Sequence, residues 1–196
     1  DGEYESKIIG LEKKLFVLKT FKKSQKKEIK FDLSLIFTPV RREKTEYIIQ
    51  KATELGVSEI YPILTERSVI KKLNYDRLHL IAKEAAELSE RISIPKINSL
   101  VILEKVINGW DCTRSILYAD ETMKENIKLL PTMNKLKSNR GALLIGPEGG
   151  FSESEITFLK SKEYVLPISL GERILRADTA AVVGLSYWHF LNSYNN

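Results

Sequence analysis

The chain has 196 residues, is 43% apolar, and carries 31 Lys and Arg against 26 Asp and Glu, a net charge of +5. That length suits one domain, or one with a small appendage, and is enough to bury a real core. No apolar run approaches the ~20 residues that cross a bilayer, and the basic balance permits a nucleic-acid partner without demanding one.

Cys112 is the sole cysteine, so no internal disulfide forms; with only His79 and His189 beside it, no zinc-type ligand set assembles and no metal is expected. Cys112 reads as a small, partly buried residue. Neither histidine sits in the nucleophile context of a Ser-His-Asp or Cys-His hydrolase. The chain opens on Asp1 rather than Met, so its first residues say nothing about targeting.

β-prone runs at Tyr4–Ile9 and Leu15–Thr20, with a turn at Gly10, predict a hairpin, and the Lys-rich stretch 22–30 reads as a linker. From Leu33 strands and helices alternate. "LSLIFTPV" is a buried strand. "RREKTEYIIQKATELG" spaces Ile48, Ala52 and Leu55 as a helix, with Gly56 ending it. "EIYPILTERSVI" is strand-like but broken by Pro62. "YDRLHLIAKEAAELSERI" is an amphipathic helix capped by Asp76, with Leu78, Ile81, Ala82, Ala85, Leu88 and Ile92 as its apolar stripe. "SILYAD", "GALLIG" and "YVLPISLG" are buried strands. "TAAVVGLSYWHFLNSY" is an apolar helix, capped near Asp178 or Thr179, that must be buried in the core or against a second subunit. The alternation predicts an α/β fold with a mostly parallel sheet covered on both faces.

Two glycine turns carry the chemistry. In "LLIGPEGGFSESEI" a strand ends at Ile145, and Ser152 with Glu155 forms a capping box that starts a helix near Glu153. Open α/β sheets bind ligands at the carboxyl ends of strands. Glycine loops suit phosphate, but three features disfavour it here. There is no Gly-Lys-Ser/Thr, the spacing is not G-x-G-x-x-G, and Glu148 puts a carboxylate inside the loop. A neutral or cationic ligand fits better; a plain strand-to-helix turn is the bland alternative. "ISLGERILRADTAAVVGL" repeats the pattern at Gly171. Its loop carries Arg173 and Arg176 around an apolar pair, Ile174 and Leu175, which would line a pocket for a flat ring or simply anchor the loop.

Together, "LLIGPEGGFSESEI" and "LGERILRADTA" resemble the C-terminal signature of the RsmE family, 16S ribosomal RNA uridine-N3 methyltransferases of the SPOUT, or α/β-knot, superfamily. "REKTEYIIQKATELGVSEIYPILTERSV" and "AAELSERISIP" resemble the family's upstream segments, so the likeness spans essentially the whole chain. Three local departures stand out. Leu88 replaces a usual Gln, Glu172 a common Pro, and "RAD" the usual Arg-Thr-Glu.

The resemblance implies a SPOUT domain over residues 31–196, with a C-terminal trefoil knot from about 141 to 196. Residues 1–30 would be the remnant of a PUA-like β-barrel and a linker. It implies S-adenosyl-L-methionine as cofactor, a cytoplasmic homodimer, and 16S rRNA of the small ribosomal subunit as partner. The cofactor would be held by Ile145, Gly146, Glu148, Gly149, Leu170, Gly171, Ile174, Leu175, Arg176 and Thr179. Arg176, with Arg173 as second choice, would stabilise charge on the uracil, and Glu148 would accept the N3 proton if burial raised its pKa, bulk water being the alternative. Lys44, Arg67, Lys71 and Arg91 would face RNA. With most of the barrel absent, cofactor binding is expected to persist and RNA methylation to be weak. Three other readings are a non-catalytic RNA-binding factor, a nucleotide-phosphate enzyme, and a methyltransferase for another RNA such as a transfer RNA.

Overall fold

The structure is a computed structural model that describes residues 3–24, 32–121, 123 and 140–194. Most of the expected linker therefore lies outside the described residues, as do the last two positions of the expected knot.

The hairpin is present as β1 (Tyr4–Glu12) and β2 (Leu15–Lys23), antiparallel. Its turn falls at Lys13 and Lys14, with Lys13 at φ 54°, rather than at Gly10. Gly10 lies inside β1 beside a register shift, where a strand glycine commonly marks a bulge. Ile8, Ile9, Leu11, Leu15, Phe16, Leu18 and Phe21 are all exposed on this hairpin.

The main sheet is parallel throughout. Its strands are β3 (Leu33–Phe37), β4 (Glu59–Leu64), β5 (Lys96–Ile97), β6 (Val101–Ile102), β7 (Ser115–Ala119), β8 (Gly141–Ile145) and β9 (Val165–Ile168). Their order is β5-β4-β3-β8-β7-β9, with β6 extending the β5 edge along β4. Pro62 does not break β4, contrary to expectation. The strand pairs with β5 at Glu59 and Ile60 and with β6 at Ile63 and Leu64, and Pro62 falls between the two. Pro167 sits in edge strand β9, where a missing N–H is tolerated.

The pleat divides the core. Leu33, Leu35 and Phe37 pack with α1 (Arg42–Glu54), α2 (Tyr75–Leu88) and α5 (Ala177–Tyr194) through Ile48, Ala82 and Trp188. Ile36 faces the other way and packs with α3 (Leu103–Asn108) and α4 (Glu153–Lys160) through Leu103, Ile107 and Leu159. Both faces are thus covered, as a parallel sheet requires.

Several local expectations are corrected. The cap of α2 is Asn74, whose side chain accepts the Arg77 N–H, rather than Asp76. Leu88 leaves the apolar stripe and is 83% exposed at the end of α2. Cys112 is exposed, in the short connection between α3 and β7. Helix α5 begins at Ala177, ahead of the expected cap, and the Arg176 carbonyl accepts the Ala180 N–H. Within this chain the helix buries Leu185 and Trp188 in the core and leaves Tyr187 and Phe190 exposed, so the core alone covers only part of its apolar surface. Gly56 follows α1 at φ 78°, the left-handed conformation that ends helices, as expected.

Candidate active site

Strands β7, β8 and β9 are neighbours, and their carboxyl ends open onto one cavity of about 440 Å³. The two glycine segments, far apart in sequence, form much of its wall. Ile145, Gly146 and Glu148 come from the first; Leu170, Gly171, Arg173, Ile174, Leu175 and Arg176 come from the second. Each of these was expected. Among the described residues, Gly149 and Thr179 are not part of the wall.

The first loop is fixed from behind. Phe151 is buried and presses its ring so closely on Gly146 that a Cβ there would lie 2.6 Å from Cε2. Only glycine permits that approach. Phe151 in turn stands edge-on to Tyr118, with ring centroids 5.4 Å apart. The capping box forms as expected: the Glu155 N–H donates to Ser152 Oγ, and the Ser152 N–H donates to Glu155 Oε2.

The electrostatics reverse one expectation. Glu148 is not buried; its side chain is 48% exposed, and Lys44 Nζ donates to its Oε1 at 2.7 Å. That hydrogen bond holds the carboxyl below the usual glutamate range, with further help from the charges of Lys44, Arg41 and Arg176. The raised pKa that would make Glu148 a proton acceptor is therefore absent. Lys44 is correspondingly a partner of the loop rather than a free RNA-facing charge.

Arg91 is also corrected. Its Nη1 donates to the Thr53 carbonyl and its Nη2 to the Val57 carbonyl, each at 2.7 Å. These carbonyls lie where α1 ends, so the guanidinium closes a helix terminus and is not offered to RNA. Lys71 is exposed beyond β4, as an RNA contact would require. Arg67 lines the cavity, and its Nη1 donates to the Gly149 carbonyl at 2.7 Å. Glu54 pairs with Lys51 on its own helix, a structural role.

Sequence reasoning missed the wall that follows β7: Tyr118, Asp120 and Glu121. The signal was available, because "SILYAD" ends at the same edge of the sheet as the two glycine loops. Asp120 is buried beside Tyr118, whose phenol is pushed upward by burial and then by that carboxylate. Tyr118 is therefore a neutral hydrogen-bonding group at physiological pH.

Residues 27–189 match the RNA methyltransferase domain family. The chain is 32% identical over 198 residues to ribosomal RNA small subunit methyltransferase E of Rickettsia conorii, across 99% of the chain and 79% of that protein. The chain belongs to this methyltransferase family. Two solved structures share its fold. One, a probable rRNA-methyltransferase from Porphyromonas gingivalis, is 25% identical with a TM-score of 0.86, over 98% of this chain and 82% of that one. The other, a putative methyltransferase from Legionella pneumophila in complex with the cofactor SAM, is 27% identical with a TM-score of 0.79, over 96% and 78%. The α/β class with a mostly parallel sheet expected from the sequence is thus the one observed.

The cavity's residues fit S-adenosylmethionine. Its volume lies within the ~300–1,000 Å³ typical of small-molecule sites. Leu170, Ile174 and Leu175 supply apolar surface for an adenine ring. The wall carries both signs, Asp120, Glu121 and Glu148 against Arg67, Arg173 and Arg176, which suits a ligand with a sulfonium, an ammonium and a carboxylate. Among the described residues no cluster of His, Cys, Asp and Glu could hold a metal ion, and no helix is long and apolar enough to cross a membrane.

Proposed function

We propose that this protein methylates N3 of a specific uridine in the 16S rRNA of the small ribosomal subunit, with S-adenosylmethionine as methyl donor. The observation that carries this reading is the meeting of both glycine segments on one cavity whose rim holds Arg173 and Arg176. The cofactor supplies an already electrophilic methyl group. The chain's task is to position and to stabilise charge. Arg176 sits just ahead of α5, on the cavity wall and exposed. There its guanidinium meets the negative charge that spreads onto uracil O2 and O4 as N3 loses its proton. Arg173 stands second in that role. With Glu148 held weakly basic by Lys44, the N3 proton leaves to water.

Lys71 contacts RNA phosphate in this reading, and residues 1–30 form an RNA-binding appendage to the catalytic domain of residues 31–196. Support for that division comes from β1 and β2, which pair with each other and with no other described strand. The two glycine segments would be the crossing loops of a trefoil knot. The enzyme works in the cytoplasm as a homodimer, with Tyr187 and Phe190 of α5 meeting the second subunit; both are exposed aromatic rings on a helix whose Leu185 and Trp188 are built into the core.

The test is a methylation assay on unmodified small ribosomal subunits with radiolabelled S-adenosylmethionine, followed by mass spectrometry of the nucleosides. N3-methyluridine formed by the wild type and lost in Arg176→Ala is expected. A wild-type chain that binds no S-adenosylmethionine by calorimetry sinks the proposal.

A further inference from the structure

Glu155 does more than cap α4. It is 5% exposed, and its two oxygens serve distant parts of the chain. Oε2 accepts the Ser152 N–H at 2.8 Å, inside the capping box. Oε1 accepts the Glu66 N–H, also at 2.8 Å, 89 residues upstream. Glu66 belongs to a tight turn closed by the Ser68 N–H on the Thr65 carbonyl at 3.1 Å and by the Thr65 N–H on Ser68 Oγ at 2.7 Å. The next residue in that turn is Arg67. Its guanidinium donates to the Gly149 carbonyl at 2.7 Å, and its stem lies over Gly149, with Cδ 3.6 Å from where a Cβ would be. Arg67 is exposed and precedes the exposed Lys71 and Lys72 in the same connection.

A continuous set of contacts thus runs from the helix behind the cofactor loop, through a buried carboxylate, to the turn that carries Arg67, and back to the loop itself. Arginine has five N–H donors in a rigid fork, so one can hold Gly149 while another meets a phosphate. We infer that Arg67 is a positioning residue that couples RNA binding to cofactor binding, with Glu155 holding it in place. This rests on the proposed reading of the cavity as the cofactor site and of the connection carrying Arg67, Lys71 and Lys72 as RNA-facing. A phosphate on Arg67 fixes the side chain that closes the loop over the cofactor. A bound cofactor, by ordering that loop, presents Arg67 to RNA. Linkage requires the same factor in both directions.

The experiment measures RNA affinity with and without saturating S-adenosylhomocysteine, which has no methyl group to transfer. The probe is a fluorescein-labelled hairpin of small-subunit rRNA with an unpaired uridine, followed by anisotropy. In the wild type the RNA Kd should fall roughly 5–10-fold when the ligand is present, within the usual range of such couplings. Arg67→Ala should weaken RNA binding and give the same Kd in both conditions. Arg67→Lys keeps the charge but not the fork; it should recover RNA affinity without the coupling. Glu155→Gln leaves residue 67 untouched, yet its amide NH2 would confront one of the two N–H donors, so the coupling should again be lost. Should Glu155→Gln fail to fold, the two Arg67 variants decide alone. Coupling that survives in Arg67→Ala, or wild-type protein that binds both ligands independently, overturns the inference. A wild type that binds neither ligand overturns the functional reading itself.

Discussion

Replacing Gly146 by alanine puts a methyl group where Phe151 already stands. The added carbon would lie 2.6 Å from Cε2, 3.0 Å from Cδ2 and 3.1 Å from Cζ of that ring. Carbon atoms settle at ~3.5–4.0 Å, so ring and loop must separate by about 1 Å. The ring has little freedom to give way, because it is buried and set edge-on, at 75°, against the equally buried Tyr118. Overpacking of this kind costs about 1–3 kcal/mol. For a domain of about 150–250 residues, each kcal/mol lowers the melting temperature by about 2–4 °C. A thermal scan of Gly146→Ala should therefore show a fall of roughly 2–12 °C, the product of those two ranges. Calorimetry should show weaker S-adenosylmethionine binding, because the displaced loop is cavity wall. The double variant Gly146→Ala, Phe151→Leu should regain part of the stability, since the smaller side chain leaves room for the methyl. An unchanged melting temperature together with unchanged affinity in Gly146→Ala would refute the packing argument.

Four further outcomes are expected. Arg91→Ala should lose about 2 kcal/mol of stability, as two charged hydrogen bonds to backbone carbonyls are broken, while RNA affinity is unchanged; Lys71→Ala should do the reverse, weakening RNA binding and flattening its salt dependence in a filter-binding series. Lys44→Met should return the Glu148 carboxyl toward the ordinary glutamate value, read by carbon NMR titration. The sign follows from the lowered folded pKa: the pair stabilises the fold above the unfolded pKa and loses that contribution as pH falls through the folded one, so the variant should lack this part of the acid limb. Arg176→Ala should reduce methyl transfer by roughly 10²–10³-fold, the usual loss for one charge-stabilising donor, with S-adenosylmethionine affinity changing far less; equal losses in both would make Arg176 a cofactor ligand instead.

The sheet was legible because its strands are buried on both faces and read as short apolar runs bounded by turns. Leu33–Phe37, Ser115–Ala119 and Gly141–Ile145 are near-continuous apolar stretches, and parallel strands are expected to look that way. The two-residue strands β5 and β6 carry no such signal, because Lys96–Ile97 and Val101–Ile102 are too short for any period to show. Pro62 misled for a related reason: a proline is tolerated in β4 only because the neighbouring edge is interrupted there, and that interruption is a tertiary fact. The glycine loops were legible since glycine at a strand's end has few other reasons to recur. The partners of charged side chains were not. Arg91 and Lys44 look alike in sequence, each a cation near a helix end, yet one meets backbone carbonyls and the other a loop carboxylate 104 residues away.

That last contact bears on the chemistry. Glu148 and Arg176 share the cavity wall, and the charge of Arg176 is the smallest of those that lower the Glu148 pKa. In the proposed mechanism, a loop carboxylate left without a partner would draw the Arg176 guanidinium inward and compete with uracil for its donors. Lys44 engages Glu148 first, at 2.7 Å, from the opposite segment of the chain. The loop carboxylate is thereby paired with Lys44, and Arg176 is left exposed on the cavity wall. Lys44→Met should then lower methyl transfer through Arg176 rather than through Glu148. Restoring neutrality with the double variant Lys44→Met, Glu148→Gln should recover much of the loss, measured as initial rates at saturating cofactor. Recovery would identify the ion pair as a device that keeps the arginine free. No recovery would mean that Lys44 acts on RNA directly, as the family resemblance first implied.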